Sequence, residues 1–167
     1  MTRALLLLGS NIDREANFCR AAQRLAELVR VVAFSPVYET EPMGDAAQPC
    51  FLNAAALIET ELGPEQLKSE VLQRIERELG RVRGPNKNAP RTMDLDVILY
   101  GDRVFRLGGR QVPDPELLRY AHIARPAADV APDWIHPERG LSLRAIADRL
   151  PPQGMTPRPD IVLVACT

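Results

Sequence analysis

Two acidic residues, Asp94 and Asp96, interrupt an apolar run in NAPRTMDLDVILYG, residues 88–101. Side chains two positions apart on a strand point to the same face, so both carboxylates are expected on one face and Leu95 and Val97 on the other. Neighbouring carboxylates repel and raise each other's pKa. A hard cation removes that repulsion, and magnesium is commonly held by one or two carboxylates together with substrate phosphates. The pattern predicts half of a magnesium–phosphate site.

Basic residues surround this acid pair. Arg91 lies three residues before Asp94, and the upstream stretch RVRGPNKNAP supplies Arg81, Arg83 and Lys87. Arginine binds phosphate oxygens bidentately, and a basic loop beside two acids is typical of sites for a metal-bound nucleoside triphosphate. The Asp-x-Asp spacing alone favours a solvent-facing strand beside a solvated loop, and the basic stretch directly before it makes the two interpretations about level. No phosphate-binding glycine loop is present, so a phosphate would be bound through side chains.

Composition restricts the class of protein. The chain has 167 residues, 46% of them hydrophobic, and a net charge of −1, which is typical of a single globular domain over residues 1–167. This charge offers no basic field for nucleic acid, and the apolar run in MTRALLLLGSN is too short to cross a membrane. The three cysteines are far apart and odd in number, which fits a reducing cytoplasm. We expect a cytoplasmic protein without nucleic-acid or membrane partners, and a monomer is compatible with the sequence.

The elements that must position the acids follow in the order strand, helix, strand, strand, helix, strand. RALLLLGSN is predicted to be a strand that closes in a turn at GSN, and VVAFSPVYET and CFLNAAALIETEL are each predicted to be one strand. GPEQLKSEVLQRIERELG is the clearest helix, with Pro64 at its first position and Gly80 closing it. This order predicts an α+β fold with a ferredoxin-like βαββαβ core, an antiparallel sheet with both helices on one face.

Smaller elements are expected after Gly101. The pattern predicts a C-terminal hairpin near Val104 and Val112, short helices within 116–130, and a helix over about 142–150. DIVLVACT, residues 160–167, is predicted to be a final strand.

Six segments carry a resemblance to a known family: LLLGSN, SPVYETEPMG, QPCFLNAA, QRIERELGRVR, APRTMDLDVILYGD and VPDPELLRYAHIARPAADVAPD. In this order they resemble 6-hydroxymethyl-7,8-dihydropterin pyrophosphokinases of folate biosynthesis, over nearly the whole chain to about residue 137. The resemblance implies an ATP- and magnesium-dependent transferase, specifically a diphosphotransferase. ATP would donate its β,γ-pyrophosphoryl group to the pterin hydroxymethyl and release AMP, so that both partners are small molecules.

The resemblance also implies roles for individual residues. The two acids would hold two magnesium ions bridging the triphosphate, beside phosphate-binding arginines. The catalytic set is Arg81, Arg91, Asp94 and Asp96; the ATP set is Gln73, Glu76, Arg81, Arg83 and Arg91; the pterin set is Thr40, Met43, Phe51, Asn53 and His122. Simpler interpretations stand beside three of these: a solvated helix face for Glu76, a core aromatic for Phe51 and a structural role for His122.

Several positions depart from the family pattern. Asp114 stands where the family usually has a triphosphate-binding histidine, Tyr120 where it has arginine, and Asn88 and Ala89 where it has a Trp-Gly pair. Compensating cations would come from Lys87, Arg119 or Arg125. The departures leave two rivals open: a paralogue with an altered substrate, and a catalytically silent pterin- or nucleotide-binding protein. An RNA-binding module of this fold is disfavoured by the low pI and scarce aromatics.

Overall fold

The computed structural model describes residues 1–41, 49–81, 93–152 and 154–164. Their central feature is a six-stranded antiparallel sheet, with strands β1 (Thr2–Ser10), β2 (Arg30–Phe34), β3 (Tyr38–Thr40), β4 (Phe51–Thr60), β5 (Asp94–Tyr100) and β8 (Met155–Pro157). The strand order is β5-β1-β4-β3-β8, and β2 also pairs with β4. A separate hairpin joins β6 (Phe105–Leu107) to β7 (Arg110–Val112), which confirms the predicted hairpin.

Helices cover both faces of this sheet. They are α1 (Arg14–Leu28), α2 (Pro64–Gln66), a π-helical segment (Leu67–Leu72), α3 (Gln73–Glu78), a 3₁₀ turn (Pro115–Leu118), α4 (Ala121–Val130) and α5 (Leu143–Asp148). The three consecutive pieces α2, Leu67–Leu72 and α3 are here called the 64–78 helix. Pro64 begins it and Gly80, at φ +79°, follows its end, as predicted. Within the described ranges, no helix is long and apolar enough to cross a membrane.

The first sheet face packs against α1 and the 64–78 helix. Alternate residues of β1 point to it, and Leu6 and Leu8 are fully buried together with Phe18 of α1 and Ile75 of α3. Each such large side chain contributes roughly 1.5–3 kcal/mol on burial. The prediction that both helices share one face is confirmed, and this layer is the larger part of the core.

The second face packs against α4 and α5 through the intervening residues of β1. Leu5 meets Ile123 of α4 and Ile146 of α5 in one cluster. A bulge opposite Leu5 and Leu6 leaves Ile98 as an extra residue on β5, so Ile98 and Leu99 both join this cluster. The alternation that sets the faces of β5 is therefore regular only on the N-terminal side of Ile98, where the two acids lie.

The prediction of one strand for VVAFSPVYET is wrong, because the segment forms β2 and β3 with a break between them. Pro36 has no N–H for a ladder. Next to it, the Ser35 side chain enters the ladder: Ala55 N–H donates to Ser35 Oγ at 2.8 Å. Pairing with β4 shifts by one residue across the break, from Phe34 opposite Ala56 to Tyr38 opposite Asn53.

The GSN stretch is not a turn throughout. Gly9 and Ser10 lie inside β1, opposite Asn53 and Leu52 of β4. The strand is longer than predicted because β4 begins at Phe51 and pairs with both residues. The sequence pattern predicted that the strand ends at Gly9, whereas in the structure Gly9 is a residue of the strand itself.

The predicted final strand over 160–167 is also wrong where the structure describes it. Residues 161–164 form no strand, and residues 165–167 lie outside the described ranges. Met155–Pro157 instead occupies the sheet edge beside β3, and the chain then turns, with Ile161 N–H donating to the Arg158 carbonyl at 3.1 Å. Ile161 is buried in the first-face core, while Val162 and Val164 are exposed.

Candidate active site

The two acids lie together on the second sheet face, which confirms the prediction that they share one face. In the register between β5 and β1, Asp94 is opposite Gly9 and Asp96 opposite Leu7. Their side chains are 19% and 24% exposed, while Ile98, further along the same strand, is fully buried. The pair therefore sits where the apolar cover of α4 and α5 gives way to solvent.

A glycine turn brings Arg81 to this pair. After the 64–78 helix, Gly80 N–H donates to the Arg77 carbonyl and Arg81 N–H to the Glu76 carbonyl, both at 3.0 Å. This pair of bonds is the Schellman motif, which requires the left-handed conformation that Gly80 supplies. The chain reverses there, and the Arg81 guanidinium contacts Oδ1 of Asp94 at 2.5 Å.

Glu76 joins Arg81 and Asp94 in one cluster, here called the corner of the site. The interpretation of Glu76 as part of a solvated helix face is wrong. Its side chain is only 4% exposed, because its carboxylate accepts from Arg81 at 2.9 Å and from the backbone N–H of Leu95 at 2.9 Å. The second bond satisfies a donor on the outer edge of β5. Gln73 lies one helical turn earlier and is half-buried. Glu76 thus fixes both the arginine and the acid strand.

Arg110 was missed by the sequence analysis. It lies on β7, and its guanidinium reaches Asp96 Oδ1 at 2.9 Å and Asp114 Oδ2 at 3.2 Å. Burial of Asp96 and the nearby charge of Asp94 raise the pKa of Asp96 to about 7, against the opposing effect of Arg110. Among the described residues around the acid pair, the four carboxylates of Asp94, Asp96, Glu76 and Asp114 therefore face two guanidinium groups, those of Arg81 and Arg110.

Asp114 is a buried helix cap. Its carboxylate accepts from Glu116 N–H at 2.9 Å and starts the 3₁₀ turn, while its own N–H donates to the Ile98 carbonyl at the bulge. The contact with Arg110 partly compensates its charge. Asp114 thus has a local basic partner in Arg110.

The amide of Asn53 lies on the same face, across β1 from the acids. Its Nδ2 donates to Thr40 Oγ1 at 2.5 Å, and both side chains are nearly buried. A Cβ on Gly9 would come within 3.2 Å of Asn53 Oδ1, so the glycine leaves room for the amide. Asp94, Gly9, Asn53 and Tyr38 form one row across four strands. At about 4.8 Å per strand, the backbones of Asp94 and Asn53 are roughly 10 Å apart.

The aromatic candidates are divided between the sheet and α4. Phe51 begins β4 on the Asn53 side and is half-buried, so it is not a fully enclosed core residue. His122 lies in the first turn of α4 and stacks on Tyr120, with ring centroids 5.4 Å apart and planes at 28°. Burial lowers the pKa of His122, so its imidazole is neutral at pH 7. The Arg119 guanidinium lies 5.8 Å from the Tyr120 ring centroid.

Three predicted site residues lie outside the described ranges: Met43, Arg83 and Arg91. The same holds for Lys87, Asn88 and Ala89. Their roles stay predictions. The structure places Thr40, Asn53, Asp94 and Asp96 on the second sheet face, and it brings Glu76 and Arg81 to Asp94 around the outer edge of β5.

The donor set fits a divalent cation only in part. In the part of the chain that the structure describes, no group of three or more His, Cys, Asp or Glu side chains is arranged to hold a metal ion. Two carboxylates on one strand face form a half-site of oxygen ligands, and the pKa of Asp96 is raised by burial and by the charge of Asp94. Magnesium accepts such a half-site when phosphate oxygens and water supply the remaining ligands.

Comparison with known proteins identifies the family. The model of the family described as 7,8-dihydro-6-hydroxymethylpterin-pyrophosphokinase (HPPK) matches residues 5–132. The chain belongs to this family. A 2-amino-4-hydroxy-6-hydroxymethyldihydropteridine pyrophosphokinase from Methylorubrum extorquens is 41% identical over 93% of this chain and 98% of its own length. The protein of the same name from Pseudomonas aeruginosa is 40% identical over 81% of this chain and 85% of its own.

Longer proteins match this chain over part of their own length. Folic acid synthesis protein fol1 from Pneumocystis carinii is 36% identical over 86% of this chain. This chain spans only 19% of the length of that relative. A wild-type Plasmodium falciparum HPPK-DHPS structure with pteroate aligns with TM-score 0.66 at 13% identity, over 89% of this chain and 42% of its own. This likeness shows the shared fold and agrees with the ferredoxin-like core predicted from element order.

Proposed function

We propose that the chain transfers the β,γ-pyrophosphoryl group of ATP to the hydroxymethyl of 6-hydroxymethyl-7,8-dihydropterin and releases AMP, a step of folate biosynthesis. The observation that carries the proposal is the row Asp94–Gly9–Asn53 on one sheet face, with Asp96 beside it. It sets a charged half-site for a triphosphate about two strand spacings from a buried amide. Its support from relatives is the family and the names of two proteins of similar length.

The acids are proposed to hold two magnesium ions. Asp94 and Asp96 would supply the protein ligands, and triphosphate oxygens would supply others. Magnesium, when bound, neutralises the triphosphate and lowers the pKa of the attacking alcohol. The raised pKa of Asp96 supports this role, because burial and the charge of Asp94 disfavour an unpaired carboxylate there and a bound cation would relieve that cost.

The arginines are proposed to act on the phosphates. Arg81 and Arg110 already contact the two acids, so they lie beside any triphosphate held there. The pterin alcohol oxygen forms a bond to the β-phosphorus, the bond from that phosphorus to the α,β-bridging oxygen breaks, and AMP leaves with that oxygen while the alcohol proton is released. Positioning and neutralisation by these side chains carry the rate, and no side-chain nucleophile is needed.

Asn53 is proposed to read the pterin edge. An amide both donates and accepts, which matches the alternating donors and acceptors of the pterin's guanidine-carbonyl edge. The bond to Thr40 fixes the direction of Nδ2, and the missing side chain at Gly9 leaves space beside Oδ1. Phe51 and His122 would offer ring faces to the flat pterin.

The proposal extends to the whole chain: a single pyrophosphokinase domain over residues 1–167, acting as a cytoplasmic monomer. Among the described residues, Cys19 and Cys50 are free thiols, in keeping with a reducing compartment. Met43, Arg83 and Arg91 keep the pterin and phosphate roles that the family resemblance implies.

The test is AMP release from ATP, magnesium and 6-hydroxymethyl-7,8-dihydropterin, with formation of the pterin diphosphate followed in the same samples. We expect stoichiometric AMP and pterin diphosphate, loss of both products with EDTA, and their recovery when magnesium is added back. AMP without pterin diphosphate would identify an altered acceptor. Binding of pterin and ATP without either product would identify a silent binding protein, and both results would overturn the proposal.

A further inference from the structure

The C-terminal segment 154–161 forms the outer edge of the sheet next to the proposed pterin site. β8 pairs with β3 in the register Tyr38–Pro157, Glu39–Thr156 and Thr40–Met155. The pairing extends past both ends of the short strand: Glu41 N–H donates to the Gly154 carbonyl at 3.2 Å, and Arg158 N–H donates to the Val37 carbonyl at 2.8 Å. These bonds hold β3, a three-residue strand, on the side that β4 does not cover.

The position of Thr156 in this ladder follows from those two bonds. Hydrogen-bonded pairs alternate in an antiparallel ladder, so the bonds at Gly154 and Arg158 make Glu39 and Thr156 the hydrogen-bonded pair between them. Pro157 lies opposite Tyr38 in a pair that is not hydrogen-bonded, so its missing N–H removes no hydrogen bond between the two strands. The Thr156 side chain is exposed, so the backbone N–H is what this residue contributes to the sheet.

Side chains anchor the segment beyond the strand. Arg158 lies 3.5 Å from Glu15 of α1 and 3.7 Å from Glu39 of β3, and it binds Asp160 through two hydrogen bonds of 3.0 and 2.9 Å. Ile161 then inserts into the first-face core, 8% exposed. The segment is therefore fixed to α1, to β3 and to the first-face core.

The link from this segment to the site runs through Thr40. Thr40 lies opposite Met155 on one side and Phe51 on the other, and its hydroxyl accepts the Asn53 amide bond. A shift of β3 away from β4 moves Thr40 Oγ1 and releases the amide of Asn53. Tyr38 at the other end of β3 donates to Asp129 of α4 at 2.5 Å, so the strand is tied at that end as well.

We propose that β8 is a positioning element for the pterin subsite: it holds β3 in place, and β3 holds the Thr40–Asn53 pair that reads the pterin edge. This inference rests on the proposed function for the identity of the ligand. It predicts that loosening β8 weakens pterin binding while leaving the triphosphate side of the site, at β5 and Arg81, unaffected.

The test compares Thr156→Pro with Thr156→Ala in the full-length chain. Proline removes the N–H that faces β3, whereas alanine keeps it and removes only an exposed side chain. For Thr156→Pro we expect the KM for pterin to rise about two- to tenfold, the range for one lost backbone hydrogen bond, with the KM for ATP and kcat unchanged. Amide exchange at Glu39 and Glu41 should become faster, and Thr156→Ala should match the parent in every measurement.

A third variant separates positioning from general destabilisation. Ile146→Val loosens α5 on the second face, away from β3, and should leave the KM for pterin unchanged at a similar loss of melting temperature. Faster exchange of β3 in Thr156→Pro with an unchanged KM for pterin would overturn the inference, as would an equal rise in Ile146→Val. If the parent binds pterin without turnover, the proposed function fails, and titration of pterin into the same variants still tests the role of β8 through the dissociation constant. A parent that binds no pterin would overturn both proposals.

Discussion

The two faces of the sheet are made by the same strands but serve different ends. On the first face, Leu6 and Leu8 of β1 lie in an unbroken apolar layer under α1 and the 64–78 helix. On the second face, the intervening positions change character along the strand, from Leu5 in the α4–α5 cluster to Gly9 between Asp94 and Asn53. Because side chains alternate, one strand supplies both the core and the floor of the candidate site.

The difference between the two faces shows that the destabilising charges of the candidate site are confined to one end of the second face. The polar end of the second face gathers like charges, with the pKa of Asp96 raised to about 7, and such a cluster destabilises the fold unless cations bind it. The first face offsets this cost with large buried side chains such as Phe18 and Leu25. Substitutions on the two faces should therefore separate activity from stability.

The largest expected effect is on catalysis, from Asp94→Asn or Asp96→Asn. Each removes a charge proposed to hold magnesium and nearly preserves shape, so kcat should fall at least about a hundredfold, as when preorganised electrostatic groups are lost. The melting temperature of Asp96→Asn should hold or rise, since the repulsion with Asp94 is gone and its partner Arg110 is 52% exposed. Steady-state kinetics and thermal unfolding of both variants check this, and near-parental kcat in either would remove that acid from the metal site.

A first-face substitution should give the opposite result. Phe18→Ala empties a fully buried position of α1 and should lower the free energy of unfolding by about 3–5 kcal/mol. At a temperature where the variant stays folded, kcat should be close to that of the parent. Denaturant unfolding and kinetics on one preparation make the comparison, and a large loss of kcat in the folded variant would contradict the separation of the two faces.

Arg81→Ala tests the corner where the two faces meet. The guanidinium is mostly buried between Glu76 and Asp94, and a charge-assisted contact is worth roughly 1.5–3 kcal/mol, so kcat/KM for ATP should fall about 10- to 100-fold. Arg77→Ala, on an exposed position of the same helix, is the matched control and should leave kcat/KM unchanged. Equal kinetics in the two variants would place Arg81 outside the phosphate site.

Gly9→Ala tests the floor of the site. The added Cβ would come within 3.2 Å of Asn53 Oδ1, so the amide must shift by a few tenths of an ångström, and the KM for pterin should rise a few-fold while the KM for ATP is unchanged. Gly63→Ala is the control, because a Cβ there meets no atom within 4 Å. If the KM for pterin in Gly9→Ala equals that of the parent, the position of the Asn53 amide next to Gly9 does not matter for pterin binding.

The smallest effect is a pH dependence at His122. Burial lowers its pKa below the ordinary value of about 6.5, so the imidazole is neutral at pH 7 and can stack on a flat ring. Protonation becomes favourable only as pH falls through this lowered pKa, and pterin affinity of the parent should weaken in that range. His122→Phe should lose this dependence, measured by pterin titration with a nonhydrolysable ATP analogue. A parallel pH profile in both proteins would assign His122 to structure, through its contact with Tyr120.

Local patterns predicted the elements and the acid pair well. The helical stripe and terminal Gly80 located the 64–78 helix, and the alternation in MDLDV placed both acids on one face. The Schellman turn that aims Arg81 follows from the same glycine. These features succeed because each depends on a few neighbouring residues.

Features that depend on distant pairing were not predictable in the same way. Arg110 reaches Asp96 only because the β6–β7 hairpin docks beside β5, and no local pattern encodes that docking. Glu76 looked solvent-facing in its helix but meets the outer edge of β5. The C-terminal strand was assigned to DIVLVACT for its apolar residues, whereas the sheet edge is filled by the more polar Met155–Pro157.

The central claim is that a divalent ion binds on the second face, beside the row Asp94–Gly9–Asn53, together with a triphosphate. The most direct measurement is paramagnetic broadening of backbone and side-chain amide signals by Mn²⁺ with a nonhydrolysable ATP analogue, in the parent and in Asp96→Asn. We predict strong broadening of Gly9 and of the Asn53 side-chain amide, little effect at Thr156, and loss of the pattern in the variant. Broadening that spares Gly9 and Asn53, or that persists unchanged in Asp96→Asn, would contradict the account.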